Sequence, residues 1–395
     1  MLKQVPLMIL SDSPDRQSGL ARVCRDLATL ASSMSEFRVA TLGLGGSGAQ
    51  SLPWVQYQLQ PGDFGERSLP HVWEDFTEGQ PGVLLTIFDL HRILWLARPE
   101  FTEEEGLRQW IVRQRQGRKL RLWSYVPVDA VGPCGKLTGM AADVLVGIER
   151  ILMYTPWAKD LVIATIGAEA AGVRGIAWMP HAVNMKIFQP VDVAAEPRSV
   201  HRVGCVMTNQ MRKDWGTVAA VSSELVKKLE GNVRFWWHSD TVERHWNLRA
   251  LAADYGISEL VDITVDAASD QTMADRYRGC DLTLLPSSEG FGFPIFESLA
   301  CGVPCLHGDY AGGASLLREF GLRQLLVPVE AGRVEGVHNS VRPVFDPLDW
   351  VRAAMDMLST PPDGAWLRER VEHLDMRLLG HRWKQWLREG VANAK

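Results

Sequence analysis

The sequence predicts an α/β protein built from two doubly wound, parallel-sheet domains of similar size. Three features carry that expectation. The chain has 395 residues, and at roughly 150 residues per domain that length suggests two or three domains. Short apolar runs alternate with longer helical stretches, the pattern of parallel strands joined by crossover helices. The alternation is interrupted once, at Met179–Pro190 and the polar VDVAAEPRS that follows, which reads as a domain boundary.

The elements follow in order. In the first half, strands are expected over Val5–Leu10, Arg38–Leu42, Gly82–Phe88, Lys119–Val126 and Ile151–Tyr154, with helices over Leu20–Ser33 and Glu103–Gln116. The second cycle offers strands over Val203–Thr208, Val233–His238, Val261–Val265, Leu282–Pro286 and Val303–His307. Its helices are Gly216–Leu229, Trp246–Tyr255 and Phe293–Ala300. The tail Trp366–Val391 is charged, with Leu367, Val371, Leu374 and Leu378 at i, i+3, i+4 spacing, and is expected to be helical. In doubly wound sheets ligands bind outside the carboxyl ends of the strands, so chemistry is sought in the post-strand loops.

Composition narrows the function classes. Hydrophobic residues make up 46% and charged residues 23% of the chain, which is ordinary for globular domains. A net charge of −5 argues against a protein held to nucleic acid by bulk positive charge, while leaving a local basic surface open. The most apolar stretches, Gly82–Ala97 and Asp143–Ala158, are broken by Asp89, His91 and Arg92 or by Glu149 and Arg150. No transmembrane segment is therefore expected. The apolar run near the N-terminus stops at Ser11 and reads as a first buried strand rather than a signal peptide. Six cysteines without a CxxC suggest reduced thiols and a cytoplasmic protein. Cys301 and Cys305 flank Gly302 and Pro304, the setting of small apolar fillers rather than metal ligands. Fifteen tryptophans outnumber both the 12 Phe and the 6 Tyr, a surplus that composition leaves unexplained.

Two glycine motifs compete for attention. Gly43-Leu-Gly-Gly-Ser-Gly48 has the letters of a dinucleotide fingerprint, but it follows the second strand, and Pro53 with alternating apolar residues resists the helix that a pyrophosphate needs. The informative segment is Ser287-Ser-Glu-Gly-Phe-Gly-Phe-Pro-Ile-Phe-Glu-Ser-Leu-Ala-Cys-Gly-Val-Pro-Cys-Leu306. There a strand ends, Gly290 and Gly292 let backbone amides approach a ligand, and Pro294 opens a helix whose positive end suits phosphate. Glu289 precedes that helix and Glu297 lies inside it, so one carboxylate can reach a sugar and the other vicinal hydroxyls such as a ribose's.

This segment closely resembles the E-G-F-G-x-P-x-x-E-A-x-A-x-G-x-P signature of retaining, nucleotide-sugar-dependent glycosyltransferases of the GT-B fold, family 4 in particular, with Ser298 where Ala is usual. Met179-Pro-His-Ala-Val-Asn and Phe188-Gln-Pro190 resemble the family's interdomain segment. Tyr154-Thr-Pro-Trp157 resembles a loop near the end of its N-terminal domain, and Ser18-Gly19-Leu-Ala-Arg22 its Gly-rich first loop. The resemblance spans nearly the whole chain.

That resemblance implies two Rossmann-like domains facing each other across a cleft: an acceptor domain over 1–183, a donor domain over 184–365, and a tail over 366–395 crossing back to the first. It implies a hexose-type sugar moved from a UDP- or GDP-linked donor to a hydroxyl, with no cofactor and no metal; the chain contains no DxD triplet. Glu289 would hold the sugar and Glu297 the ribose. Gly19, Gly290, Phe291, Gly292 and Phe293 would line the donor, and Lys213 would grip its diphosphate. The family's partner Arg is replaced by Thr208 or Asn209. Arg212 is the substitute, although neighbours on a helix start diverge by about 100°. The catalytic His of many relatives is also missing, and Asp129, at the end of Leu122–Ala130, competes with His91 for its place.

For the acceptor, Arg108, Arg113, Arg115, Arg118, Lys119 and Arg121 form a run without acids, either a solvated helix end or a surface for an anion. Trp95 and Trp110 are candidates to stack on a sugar or base. The chain also resembles glycosyltransferases of phage-type genomes, which makes hydroxymethylated DNA one acceptor. Such a protein would work in the host cytoplasm, as a monomer or a dimer. A cell-surface glycan, a lipid-linked acceptor, or a non-catalytic sugar-nucleotide-binding protein on the same fold are the alternatives.

Overall fold

The computed structural model describes residues 4–47, 51–191, 199–336 and 338–392. The chain forms two compact units. The first comprises residues 1–128, 134–182 and 377–395, the second 129–133 and 183–376.

The first unit is built on a seven-stranded sheet in the spatial order Val55–Gln58, Phe37–Leu44, Val5–Asp12, Gly82–Thr86, Leu120–Val126, Arg150–Met153, Ala177–Trp178. Every pairing is parallel. The central strands are apolar along their whole length because helices cover both faces; Leu7, Met8, Ile9 and Leu10 are fully buried. Helix Gly19–Ser32 starts where Ser18 accepts a hydrogen bond from the Ala21 amide. The order reverses between Val5–Asp12 and Gly82–Thr86, so the crevice of this unit lies beside Asp12, Ser13 and Ile87.

The second unit repeats the plan with six parallel strands in the order Val261–Thr264, Val233–His238, His201–Val206, Leu282–Leu285, Cys305–Gly308, Leu326–Val327. Its reversal falls between His201–Val206 and Leu282–Leu285. An antiparallel hairpin, Ala331–Glu335 with Ser340–Val344, stands apart from this sheet.

Several expectations change. Val55–Gln58 follows the first glycine motif, so a strand stands where a dinucleotide fold needs a helix; Gly48 lies outside the described residues. So do residues 192–198 of the polar interruption. Short edge strands and the hairpin lack the apolar runs that mark central strands, and sequence reading passed over them. The tail is not one helix. It folds as Gly364–Val371, a turn of 3-10 helix at Glu372–Leu374, and Met376–Ala392. The break rotates Leu378 off the stripe of Leu367, Val371 and Leu374, and it is 56% exposed while they are fully buried.

The units also divide differently from the expected 1–183, 184–365 and 366–395. Residues 366–376 pack in the second unit, where the Arg368 guanidinium donates to the carbonyls of Met185 (2.8 Å), Phe188 (2.7 Å) and Ala300 (3.0 Å). Beyond Met376 the helix belongs to the first unit, with Trp383 against Tyr125 at 4.8 Å and Trp386 against Trp123 at 5.3 Å.

The tryptophan surplus is a packing device. Trp95 and Trp110, expected as exposed stacking surfaces, are buried, and their indole N–H groups donate to the Arg92 carbonyl and to Glu74. Large rings fill the space between helix and sheet, as Trp73, Trp215, Trp236, Trp237, Trp350 and Trp383 do. Trp383→Ala should therefore cost about 3–5 kcal/mol, read as a lower urea midpoint. Leu378→Ser should stay within about 0.5 kcal/mol of the parent.

Candidate active site

The second sheet's reversal sets two post-strand loops side by side. Met207–Asp214 leaves the strand His201–Val206, and Pro286–Gly292 leaves Leu282–Leu285. They are stitched together. Lys213 pairs with Ser287 in an isolated antiparallel bridge, and the Asp214 amide donates to the Pro286 carbonyl at 3.3 Å. Asp214 also caps helix Trp215–Lys228 by accepting from the Thr217 amide (3.0 Å) and hydroxyl (2.6 Å). Lys213 therefore precedes the helix. Helical divergence does not apply to Arg212 and Lys213, and both side chains converge on the facing loop.

The Lys213 ammonium makes a close ion pair and hydrogen bond with Glu289 Oε1, and Ser287 donates to the same oxygen at 2.6 Å. Arg212 donates to the Ser288 carbonyl at 2.7 Å and lies 3.8 Å from Glu289 Oε2. Burial alone would raise the Glu289 pKa, but Lys213 and Arg212, with hydrogen bonds from Lys213 and Ser287, outweigh it and hold the carboxyl at about 2. Burial, and then Arg212, bring Lys213 down to about 8 despite the attraction of Glu289. The pair is thus ionised at neutral pH, with the lysine close to losing its proton.

Helix Phe293–Ala300 begins at Gly292, whose φ of 89° suits glycine. A Cβ there would also stand 2.7 Å from Ile295 Cδ1. Phe291 is buried against Phe296 (4.8 Å), so the Gly290–Phe293 loop is fixed from below. Glu297 is 6% exposed and accepts from the Tyr277 hydroxyl at 3.0 Å. The backbone carbonyl of Glu289 accepts from the amides of Gly312 (2.9 Å) and Gly313 (3.2 Å), fastening the loop to helix Ala311–Glu319.

Asp129 was expected in the acceptor domain, yet it belongs to the second unit. Val131 bridges to Val341 of the hairpin, and Ser288 donates to the Asp129 carbonyl. The Asp129 carboxylate lies 3.4 Å from Arg212 and 3.0 Å from Arg342. Two residues here escaped sequence reading. Arg342 comes from an unrecognised hairpin. His307 is fully buried, with Nδ1 2.9 Å from the Leu285 carbonyl, no hydrogen-bond partner for Nε2 and a pKa lowered by burial. Only its place at a central strand's end could have singled it out.

Gly19 and His91 fall in the first unit, Gly19 opening a helix and His91 in a 3-10 turn over Leu90–Ile93. Ser18, which precedes Gly19, donates to Asp12 at 2.5 Å. The basic run does not form a uniform face. Arg115 turns inward to the carbonyls of Leu96, Ala97 and Gly147, Arg121 is half-buried over Trp123, and Arg108 pairs with Glu105. Arg113, Arg118 and Lys119 remain exposed. A concavity lined by His201, Arg202, Arg234 and Asp262 lies at the amino ends of the second sheet's strands, opposite to the loops described above. Among the described residues no helix is long and apolar enough to cross a membrane, and no group of three or more His, Cys, Asp or Glu is placed to hold a metal ion.

Residues 202–341 match the family model described as Glycosyl transferases group 1. The matched span contains both stitched loops and supports that family for the chain. A D-inositol 3-phosphate glycosyltransferase of Streptosporangium roseum is 32% identical over 300 residues, which cover 69% of this chain and 61% of that protein. The chain spans less than two thirds of the length of the curated relatives it matches. Among solved structures, sucrose-phosphate synthase of Thermosynechococcus elongatus superposes with a TM-score of 0.72 at 17% identity, covering 99% of this chain and 100% of that one. The pneumococcal O-GlcNAc transferase GtfA in complex with UDP and GlcNAc gives 0.58 at 14%, covering 81% and 59%. These likenesses establish the fold as GT-B, with two Rossmann-like units.

Glu289 is held well below the pKa of an ordinary glutamate. Its charged form stabilises the folded state above the ordinary glutamate range near ~4.3, and that contribution is lost as pH falls toward about 2. Urea titrations between pH 5 and 2 should show stability falling with pH, with a shallower fall in Glu289→Gln. Lys213→Met strands a buried carboxylate and should cost about 3–5 kcal/mol at pH 7. The double variant Lys213→Met/Glu289→Gln should recover part of that loss.

Proposed function

We propose that the protein is a retaining glycosyltransferase that moves a hexose-type sugar from a nucleoside-diphosphate sugar to a hydroxyl acceptor. One observation carries the reading: Arg212 and Lys213 converge on the Ser287–Glu289 loop at the reversal point of the second sheet, directly before Gly290–Gly292. In doubly wound sheets that is where a nucleotide binds. The family match over the same residues and the relatives' printed activities support it.

As the bond from the anomeric carbon to the leaving phosphate breaks, negative charge grows on the diphosphate. Lys213 and Arg212 are held ready to stabilise it, with no reorganisation needed at that moment. The acceptor oxygen attacks from the face the phosphate leaves, and the departing phosphate oxygen takes its proton, so configuration is retained. Glu289, kept ionised, accepts hydrogen bonds from sugar hydroxyls, and Glu297 takes those of the ribose. Asp129 and His91 are the candidates for the group beside the reacting carbon. The chain's own groups carry this charge without a metal or cofactor. Arg113, Arg118 and Lys119 are exposed but lie just before strand Leu120–Val126, at the amino end of the first sheet rather than beside its crevice, so the choice of acceptor does not rest on them. Hydroxymethylated DNA, expected if the chain is phage-encoded, and a phosphorylated polyol, as in the relatives' name, are the two arms to compare. The reading places the reaction in the cytoplasm.

Turnover is tested by nucleoside-diphosphate release from a panel of UDP- and GDP-sugars, with hydroxymethylated DNA or inositol phosphate as acceptor. Lys213→Ala should lower release at least 100-fold, a loss of about 2.7 kcal/mol. Absence of release with every donor, alongside tight nucleotide binding, would favour a non-catalytic sugar-nucleotide-binding protein. Lys213 holds its proton below about 8, so nucleoside-diphosphate affinity should weaken as pH rises from 7 to 9. Lys213→Ala should bind weakly at both pH values and lose that slope.

A further inference from the structure

Resting on that reading, the structure assigns a third cation to the donor's diphosphate, and it comes from outside the two loops. We propose that Arg342, on the Ala331–Val344 hairpin, binds the diphosphate by exchanging its present carboxylate partner, Asp129, for phosphate oxygens. Three observations carry this.

The first is convergence on one short stretch. Arg212 donates to the Ser288 carbonyl at 2.7 Å, Lys213 pairs with Glu289, and Arg342 Nη1 donates to the Ser288 hydroxyl at 3.1 Å. Three positive groups therefore meet on adjacent residues immediately before Gly290. Arginine and lysine repel one another at such range unless an anion lies among them.

The second is the anion that now joins them. The Asp129 carboxylate spans two guanidiniums, with Oδ2 3.4 Å from Arg212 Nε and Oδ1 3.0 Å from Arg342 Nη1. A phosphate group bridges two arginines in the same manner with stronger acceptor oxygens, and the planar fork of arginine matches it. Asp129 thus holds apart and neutralises a pair of cations that suit a diphosphate better.

The third is that the hairpin is built to aim this residue. The Val341 amide donates to the Val131 carbonyl at 2.7 Å, and the Tyr310 hydroxyl accepts from the Val131 amide at 3.2 Å while donating to the Val341 carbonyl. Glu335, on the opposite strand, receives Arg342 Nε at 2.9 Å, and the side chain is only 15% exposed. Arg333, directly opposite Arg342 across the hairpin, shares its face and is exposed, so it is the Glu335 and Asp129 contacts that turn Arg342 inward. Glu335 orients one edge of the guanidinium and leaves Nη1 toward Ser288 and Asp129.

The test is calorimetric titration of the full chain with UDP, GDP, uridine, guanosine and inorganic pyrophosphate, with urea midpoints confirming that each variant is folded. Arg342→Ala should weaken the preferred nucleoside diphosphate, and pyrophosphate, about tenfold, which is about 1.4 kcal/mol. The matching nucleoside should stay within about twofold. Arg342→Lys should fall between, since a point charge replaces a fork. Asp129→Asn should tighten the diphosphate by removing its competitor. Unchanged diphosphate binding in Arg342→Ala, or equal weakening of nucleoside and diphosphate, overturns the assignment. Unchanged or weaker diphosphate binding in Asp129→Asn overturns the exchange. If the wild-type chain binds no nucleoside diphosphate, the glycosyltransferase reading fails and takes this assignment with it. Wild-type binding with an indifferent Arg342→Ala leaves that reading standing and removes the assignment alone.

Discussion

The buried ion pair between Lys213 and Glu289 is the constraint on which the second unit's chemistry depends. An ammonium and a carboxylate removed from water are costly to bury, and one without the other costs more. Their pairing therefore fixes the distance between two loops that leave different strands. The antiparallel bridge between Lys213 and Ser287 does the same through the backbone. With the register of the loops set, the positions of Arg212, the Ser288 carbonyl and the glycine turn at 292 follow. A local, desolvated electrostatic contact thus converts a generic doubly wound sheet into a site of one shape.

The same contact sets a balance of charge. Arg212, Lys213 and Arg342 face Asp129, Glu289 and Glu335, so the charges of the cluster nearly cancel. A neutral cluster folds without self-repulsion, and in the proposed exchange only Asp129 gives way, while the Lys213–Glu289 pair stays in place. Affinity for an anion is then the difference between two good pairings rather than the full strength of one.

What could be read from the sequence, and what could not, divides along physical lines. Central strands such as Val5–Asp12 and Leu282–Leu285 announce themselves because burial on both faces demands unbroken apolar runs. The Gly290–Pro294 turn is legible because backbone conformation restricts it to few residue types. Lys213 and Glu289 were each visible, but their direct pairing was not, since it arises from strand order. Asp129 was identified by its place after a strand and was assigned to the wrong unit, because contacts with Ser288, Val341 and Arg342 are long-range. The 331–344 hairpin has no apolar alternation, and Arg342 inside it carries no local mark. The basic run misled for the opposite reason. Guanidiniums of Arg115 and Arg121 satisfy carbonyls and cover an indole, uses that a count of charges does not reveal.

The break at Glu372–Leu374 gives the chain an unusual order of completion. All segments of the second unit have been made once Met376 is reached, whereas the first unit, though most of it is synthesised first, still lacks the helix that carries Trp383 and Trp386. During synthesis from the N-terminus, the sheet strand bearing Trp123 and Tyr125 must wait some 260 residues for its covering rings. The later-made half can settle while the earlier-made half remains open along one side.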